Sequence, residues 1–485
     1  MTLAEFADNL SKTMPLNVVI LWASGLLLVD LFVPKGRKGI TALLAAAGMV
    51  VSLGFSIAQT GAQTTAYGGM IAVDGFATFL TVLFLGSGLV GIVLSYEYLN
   101  RQGIQRGEYY VLLMFSISGM ILMSLAADLI VVFLALELLS IPLYVLAGFA
   151  RPKPDSEEAA LKYFLLGAFA SGFVVYGVAL VFGATGGTAL AHIVDSLAAG
   201  AADLTLLTIG AALILVGLGF KVAAVPFHMW TPDVYQGAPS AVTAFMAVGA
   251  KAGGFAALLR VFVTALAPLA AELTPILWGV AALTMILGNV VAIAQTNIKR
   301  LLAYSSIAHA GYILMALVPY GQGGVVGDAV ASALYYLLAY AFTNFAAWAV
   351  VIAIEKREGR GLLLNDYAGM GRRYPALAAI MAVAMLSFTG VPPTLGFVGK
   401  FYLFSTVIEG GFYGLAIIGV LTSLVSAYYY LRVVVIMYMQ EGVPLAERDP
   451  WVYLTAAAAG VGTVALSIFS VPLFAWAAQA VLTLY

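Results

Sequence analysis

Gly219-Phe220-Lys221-Val222-Ala223-Ala224-Val225-Pro226 puts a lysine deep in an apolar run and a proline five residues after it. The run covers residues 205–227 and holds no other charged side chain. Proline removes a backbone donor and clashes with the preceding turn, so the helix is expected to be interrupted here. In an apolar solvent, irregular backbone is tolerated only where it lines a hydrated cavity or a binding site. A lysine beside such an interruption therefore marks a functional position.

The rest of the chain supplies that apolar solvent. Of its 485 residues, 63% are hydrophobic and 9% charged, and the mean hydropathy is +1.03. Soluble domains carry about 25% charged residues, and a water-soluble fold this poor in charge would expose large apolar patches. There are no cysteines, which excludes disulfides, thiolate metal sites and iron–sulfur clusters on this chain. The net charge of −1 gives no sign of a nucleic-acid partner. The first fifteen residues contain Glu5, Asp8 and Lys12 and lack the basic start of a cleaved signal, so the apolar run after them reads as a retained helix.

A membrane helix needs about 20 mainly apolar residues. Apolar runs near 15–33, 39–58, 77–95, 109–126, 128–149, 158–183, 205–227, 239–264, 276–295, 299–319, 328–353, 376–408, 412–438 and 452–478 predict an all-α polytopic membrane protein of about fourteen helices. The 376–408 run is overlong and contains Gly390, Pro392, Pro393 and Gly396, which predicts a second broken helix. With fourteen spans, fifteen of the 22 Lys and Arg residues fall on one set of alternate loops, six fall within spans, and only Lys12 lies on the other side. The basic side is cytoplasmic by the positive-inside rule, so both termini are expected on the outer side of a bacterial inner membrane. Helices four to eight and nine to thirteen each make a five-helix unit. Because five is odd, a copy of such a unit must appear inverted. Lys221 and Lys400 then occupy the fourth helix of each copy. The expected segments are 1–108 for the first three helices, 109–264 and 265–438 for the two repeats, and 439–485 for the last helix.

The charges within spans are Lys162, Lys221, Lys251, Arg260, Lys400 and Arg432, joined by Glu137 and His309. A Lys or Asp at the centre of a membrane helix costs about 2.5–3.5 kcal/mol, and buried charge is a poor route to stability. Arg260, Arg432 and Asp30 lie near helix ends, where snorkelling to the interface is the ordinary explanation. Lys162 lies about one turn inside its helix and can be read either way, and His309 can be a satisfied core histidine. Glu137, Lys251, Lys221 and Lys400 have no such explanation. Burial disfavours the charged form of a lysine, so such a group can gain and release a proton near neutrality. Two charges about 10 Å apart at an effective dielectric near 20 interact by roughly 1.7 kcal/mol, enough for one moving charge to drive release at the next site. A row of these groups bridged by water would carry protons. His192, His228 and His309 form no metal or haem pattern, and no phosphate loop or nucleophile–base pair is present.

Gly219–Pro239, ending Val234-Tyr235-Gln236-Gly237-Ala238-Pro239, resembles the signature of the antiporter-like subunits of respiratory complex I, the quinone-proximal N type in particular. Gly390-Val391-Pro392-Pro393-Thr394-Leu395-Gly396-Phe397-Val398-Gly399-Lys400-Phe401 and Asn297–His309 are similar to the same family. The resemblance covers nearly the whole chain. It implies a charged pair of Glu137 and Lys162, a central proton-binding Lys221, a link through Lys251 and His309, and proton exchange with the outer side at Lys400. A lysine at this last position and a chain ending soon after the last helix favour the N type. The resemblance also implies no cofactor on this chain, with FMN, iron–sulfur clusters and quinone in other subunits. The implied partners are a second antiporter-like subunit and a small glutamate-containing subunit in the membrane arm of an NADH:quinone oxidoreductase. A cation/proton antiporter subunit, a homologous subunit of a hydrogenase-type complex and a passive membrane scaffold stay open as alternatives.

Overall fold

A bilayer interior supplies no water to backbone N–H and C=O groups, so a spanning segment must satisfy its own, and helices result. The computed structural model describes residues 2–357, 359–480 and 482. The remaining positions, among them the tip of the expected 439–485 segment, lie outside the described residues. Helices α1 (Leu3–Lys12), α2 (Met14–Asp30), α3 (Gly39–Ala58) and α4 (Gly75–Gln102) come first. A short antiparallel hairpin, β1 (Thr64–Ala66) and β2 (Ile71–Val73), sits between α3 and α4 with Thr64 opposite Val73. Next come α5 (Glu108–Leu125), α6 (Leu129–Ala147), α7 (Pro154–Thr185), α8 (Leu190–Ala198), α9 (Leu204–Val222), α10 (Trp230–Gly237), α11 (Ser240–Phe245) and α12 (Lys251–Arg260). The chain continues through α13 (Ala270–Ile293), α14 (Ile298–Met315), α15 (Val326–Ile354), α16 (Met370–Arg373), α17 (Pro375–Thr389), α18 (Leu395–Glu409), α19 (Tyr413–Met439), α20 (Pro450–Ile468) and α21 (Ser470–Ala478).

Among the described residues, eleven helices are long and apolar enough to cross a membrane, or twelve if α1 and α2, bent by 92° at Thr13, count as one. The fold is thus all-α and polytopic. Two more of the expected runs are occupied by α14, whose Lys299, Arg300 and His309 lower its hydropathy, and by the pair α17 and α18, each of 15 residues and too short to span alone. The α1 segment was not expected to be helical. It starts with a capping box from Thr2 and Glu5, with two reciprocal hydrogen bonds.

Both expected interruptions are present. The first comes earlier than the proline: α9 ends at Val222, Ala223 turns left-handed at φ 63°, and Pro226 lies inside the break rather than at its start. The second follows Thr389, where Gly390 adopts φ 91°, a conformation glycine takes at no steric cost. The 239–264 run is less regular than expected. Two π-helical turns, Met246–Ala250 and Val261–Ala265, bracket α12.

The interior is built around α11, α12 and their π turns, which are buried throughout, and α15, which is nearly so. The long α7 shows most of its surface. It packs against α9, and Gly177 and Gly210 make that approach close. A Cβ on Gly177 would meet the Gly210 carbonyl oxygen at 2.7 Å, and one on Gly210 the Gly177 oxygen at 2.9 Å. Small residues at such a crossing let two backbones touch inside a membrane.

Candidate functional site

Ending α9 at Val222 leaves carbonyls of its last turn without helical partners. They are taken up locally. Ala224 N donates to Gly219 O at 2.8 Å, Ala223 N to Phe220 O at 3.1 Å, and Trp230 Nε1 to Phe220 O at 2.9 Å. Val225 N donates across to Thr284 Oγ1 at 2.9 Å. The break is therefore satisfied without Lys221, whose side chain is left for other partners. Its Nζ donates to Ser140 Oγ at 2.8 Å and Tyr163 Oη at 3.0 Å. Ser140 in turn donates to Leu136 O at 2.5 Å, and the Tyr163 ring stacks on Trp230 with centroids 4.5 Å apart. Lys221 is buried. Glu137, one turn before Ser140 on α6, is the acidic group whose charge acts on it; that carboxylate accepts a short hydrogen bond from Ser171 on α7.

Lys251 begins α12, directly after the first π turn, a local geometry often found at functional sites. Its buried ammonium donates to the backbone carbonyl and the hydroxyl of Ser306 and stands 5.3 Å from the Tyr340 ring centroid. The Tyr235 and Tyr340 hydroxyls also turn to Ser306. One turn along α14, His309 bonds Tyr336 Oη through Nδ1 at 2.6 Å and Tyr430 Oη through Nε2 at 3.0 Å. Tyr430 continues to Ser305 Oγ at 2.5 Å. The Tyr340, Tyr312 and Phe388 rings crowd the imidazole at centroid distances of 5.3, 5.6 and 5.1 Å.

Lys400 stands on α18 beyond the second break. Its Nζ donates to Phe388 O at 2.9 Å, Thr389 O at 3.0 Å and Ser423 Oγ at 2.6 Å, and lies 4.7 Å from the Tyr312 ring centroid. Among the described residues, Lys221, Lys251 and Lys400 have neutral hydrogen-bond partners only. An ammonium in such a place has no carboxylate to hold its proton. The hydroxyls and the imidazole between the lysines can each both accept and donate, so the arrangement can pass protons.

A match to the family described as the transmembrane region of the NADH:quinone oxidoreductase/Mrp antiporters covers residues 126–426. The chain belongs to this family. The matched region contains Glu137, Lys162, Lys221, Lys251, His309 and Lys400. Relatives are similar along almost the full length. The NADH-quinone oxidoreductase subunit N of Chloroflexus aggregans is 48% identical over 467 residues, 95% of each chain. That of Trichlorobacter lovleyi is 47% identical over 451 residues, 92% of this chain and 91% of its own. A chain of respiratory complex I from Thermus thermophilus, solved with bound aureothin, is 35% identical, with a TM-score of 0.82 over 96% of this chain and 100% of that one. A chain of the Mrp complex from Dietzia sp. shares the fold at 20% identity, with a TM-score of 0.86 over 98% of each.

Other expected members of this antiporter-family site sit differently. Lys162 is half exposed and ion-paired to Glu158 and Asp233, each at 2.7 Å; no ion pair with Glu137 forms among the described residues. Asp233 also binds Arg300 at 2.7 Å. It was not singled out from the sequence because an acidic residue between two spans reads as ordinary loop.

The snorkelling expected of three groups is not observed. Arg260 is fully buried. Its Nη1 donates to Asp74 at 2.5 Å and its Nη2 to Asp74 at 3.0 Å and to Ser124 O at 2.6 Å. Asp74, which also caps α4 through Ala77 N at 2.9 Å, holds it inside. Asp30 is buried between Lys38 at 2.7 Å and Thr41 Oγ1 at 2.5 Å, so its charge is met within the chain. Arg432 donates to the carbonyls of Ile293 and Gln295 at the end of α13, where a cation suits the helix dipole.

Proposed function

We propose that this chain is the quinone-proximal, N-type subunit in the membrane arm of a proton-pumping NADH:quinone oxidoreductase. Lys221, Lys251, His309 and Lys400 carry the proton, and Glu137 tunes the first of them. The observation that carries this reading is the set of three buried lysines, each held by neutral groups and linked by Ser306, Tyr340, His309 and Tyr312. Electron transfer takes place in other subunits, which hold FMN, iron–sulfur clusters and quinone. The partners are a second antiporter-like subunit, beside Lys162 and Glu137 on the exposed face of α7, and a small subunit with buried glutamates. The chain crosses a bacterial inner membrane fourteen times with both termini outside, through two inverted five-helix repeats. The segregated loop cations and the two helix breaks support this count.

The test is proton pumping per electron by the reconstituted complex carrying Lys221→Ala, with assembly verified by native electrophoresis. Pumping is expected to fall by roughly two orders of magnitude, the effect of losing one positioned proton-transfer group. Unchanged pumping with intact assembly returns the chain to a scaffold role. A sodium requirement for transport turns the reading to cation exchange.

A further inference from the structure

Lys299 and Glu355 are buried titratable groups outside the row just described. Glu355 caps the C-terminal end of α15, where the helix dipole disfavours a negative charge. Its Oε2 is buried without a hydrogen-bond partner. A carboxylate in such a place destabilises the fold unless water or function accounts for it.

Its surroundings are polar on every side. Tyr98 on α4 accepts from Ser240 N at 3.0 Å, which leaves its own proton for the adjacent Glu355 carboxylate. Tyr367 and Lys299 are its other electrostatic neighbours. Lys299 Nζ donates to Ala238 O at 2.6 Å. Three nearby or deeper polar atoms, Tyr367 Oη, Ser240 Oγ and Asn344 Nδ2, are also buried without partners. Buried polar atoms in such a group are the usual hosts of ordered water.

The group has two outlets. The residues on either side of Glu355, Ile354 and Lys356, line an open cleft of about 680 Å³ that also has Arg101, Arg360 and Asp366 on its walls. Inward, Asn344 lies eleven residues back along α15, about 16 Å. It reaches the Tyr340 hydroxyl, which turns to Ser306, the partner of Lys251.

We propose that Glu355 collects protons from the aqueous phase on the basic side and delivers them to Lys251. A water in the cleft protonates Oε2. The resulting acid gives its proton to a bound water beside Ser240, and the proton passes Asn344, Tyr340 and Ser306 to the Lys251 amine. Each step transfers one proton and restores the donor at the next. The inference rests on the proton-pumping reading above.

The experiment uses the assembled complex in vesicles and compares Glu355→Gln, Glu355→Asp and the Lys221→Ala control, with and without formate as a diffusible weak acid. Glu355→Gln is expected to lower pumping roughly tenfold, less than a lost general acid–base group because water partly replaces it. Glu355→Asp and formate each restore it. Pumping at the parental level in Glu355→Gln overturns the proposal, as does a loss that neither aspartate nor formate repairs, since that loss is structural. If Glu355→Gln does not assemble, Tyr98→Phe takes its place: a formate-reversible, severalfold slowing supports the proposal and no change overturns it. Full pumping in Lys221→Ala overturns the broader reading instead, whatever happens at Glu355.

Discussion

Lys221 stands on the last turn before its break and reaches two hydroxyls, whereas Lys400 stands on the second turn after its break and reaches two carbonyls and one hydroxyl. At the first break the freed carbonyls go to Trp230 and to backbone N–H groups. At the second, the exposed C-terminal end of α17 is satisfied in part by the lysine. Carbonyls at a helix end favour a cation, while a hydroxyl accepts from an ammonium and donates to an amine equally well. The same interruption thus makes one site that suits either protonation state and one that favours the charged form.

Replacing each lysine by methionine separates these roles most strongly. Both Lys221→Met and Lys400→Met are expected to lower pumping by roughly a hundredfold. Only Lys400→Met should also lower stability, by about 1–3 kcal/mol, because it strands the Phe388 and Thr389 carbonyls. Thermal dissociation of the subunit from the solubilised complex reads the second effect. Equal melting of the two variants erases the distinction.

The residues that turn the chain at the two breaks differ as well. Ala223 sits at φ 63° and Gly390 at φ 91°. A left-handed non-glycine residue costs roughly 1–2 kcal/mol, so Ala223→Gly should raise the midpoint of the same thermal transition and Gly390→Ala lower it. The second change adds a contact: its Cβ would stand 3.0 Å from Lys400 Cδ. Shifts of the same sign in both variants contradict the geometry.

The smallest effects lie in single hydroxyls. Ser140→Ala removes one of two partners of Lys221, and Ser423→Ala one of three around Lys400. At about 1 kcal/mol for a net hydrogen bond, Ser140→Ala should slow pumping about fivefold. Ser423→Ala, with two carbonyls still in place, should slow it less. The reverse order in steady-state pumping places the exchangeable lysine at the second break.

The two breaks could be read from sequence because proline and glycine beside a lysine leave few structural options in an apolar run. The surroundings of the lysines could not. Tyr163, Tyr340, Tyr336 and Tyr430 count as apolar in a hydropathy reading, and only packing shows that their hydroxyls converge on the row. The Arg260–Asp74 pair was hidden for another reason. Its members are 186 residues apart, and position near a helix end favoured snorkelling for the arginine. Lys299 and Glu355 were masked by position too, since each follows the boundary of an apolar run and reads as interfacial. Lys162 was placed with Glu137 by family resemblance, while its closest acids, Glu158 on its own helix and Asp233 on α10, went unremarked.

The two π turns around α12 bear on how this segment tolerates change in length. A π turn holds one residue more than the α-helical turn it replaces, and each residue of an α-helix turns the chain by about 100°. Removing any one of Met246–Ala250 would close the first bulge and rotate everything after it by that angle. Lys251 and Arg260 would both turn away, one from Ser306 and the other from Asp74. Side chains here can be exchanged one at a time, but the number of residues is set by the need to aim two buried cations at fixed targets on different sides of the same helix.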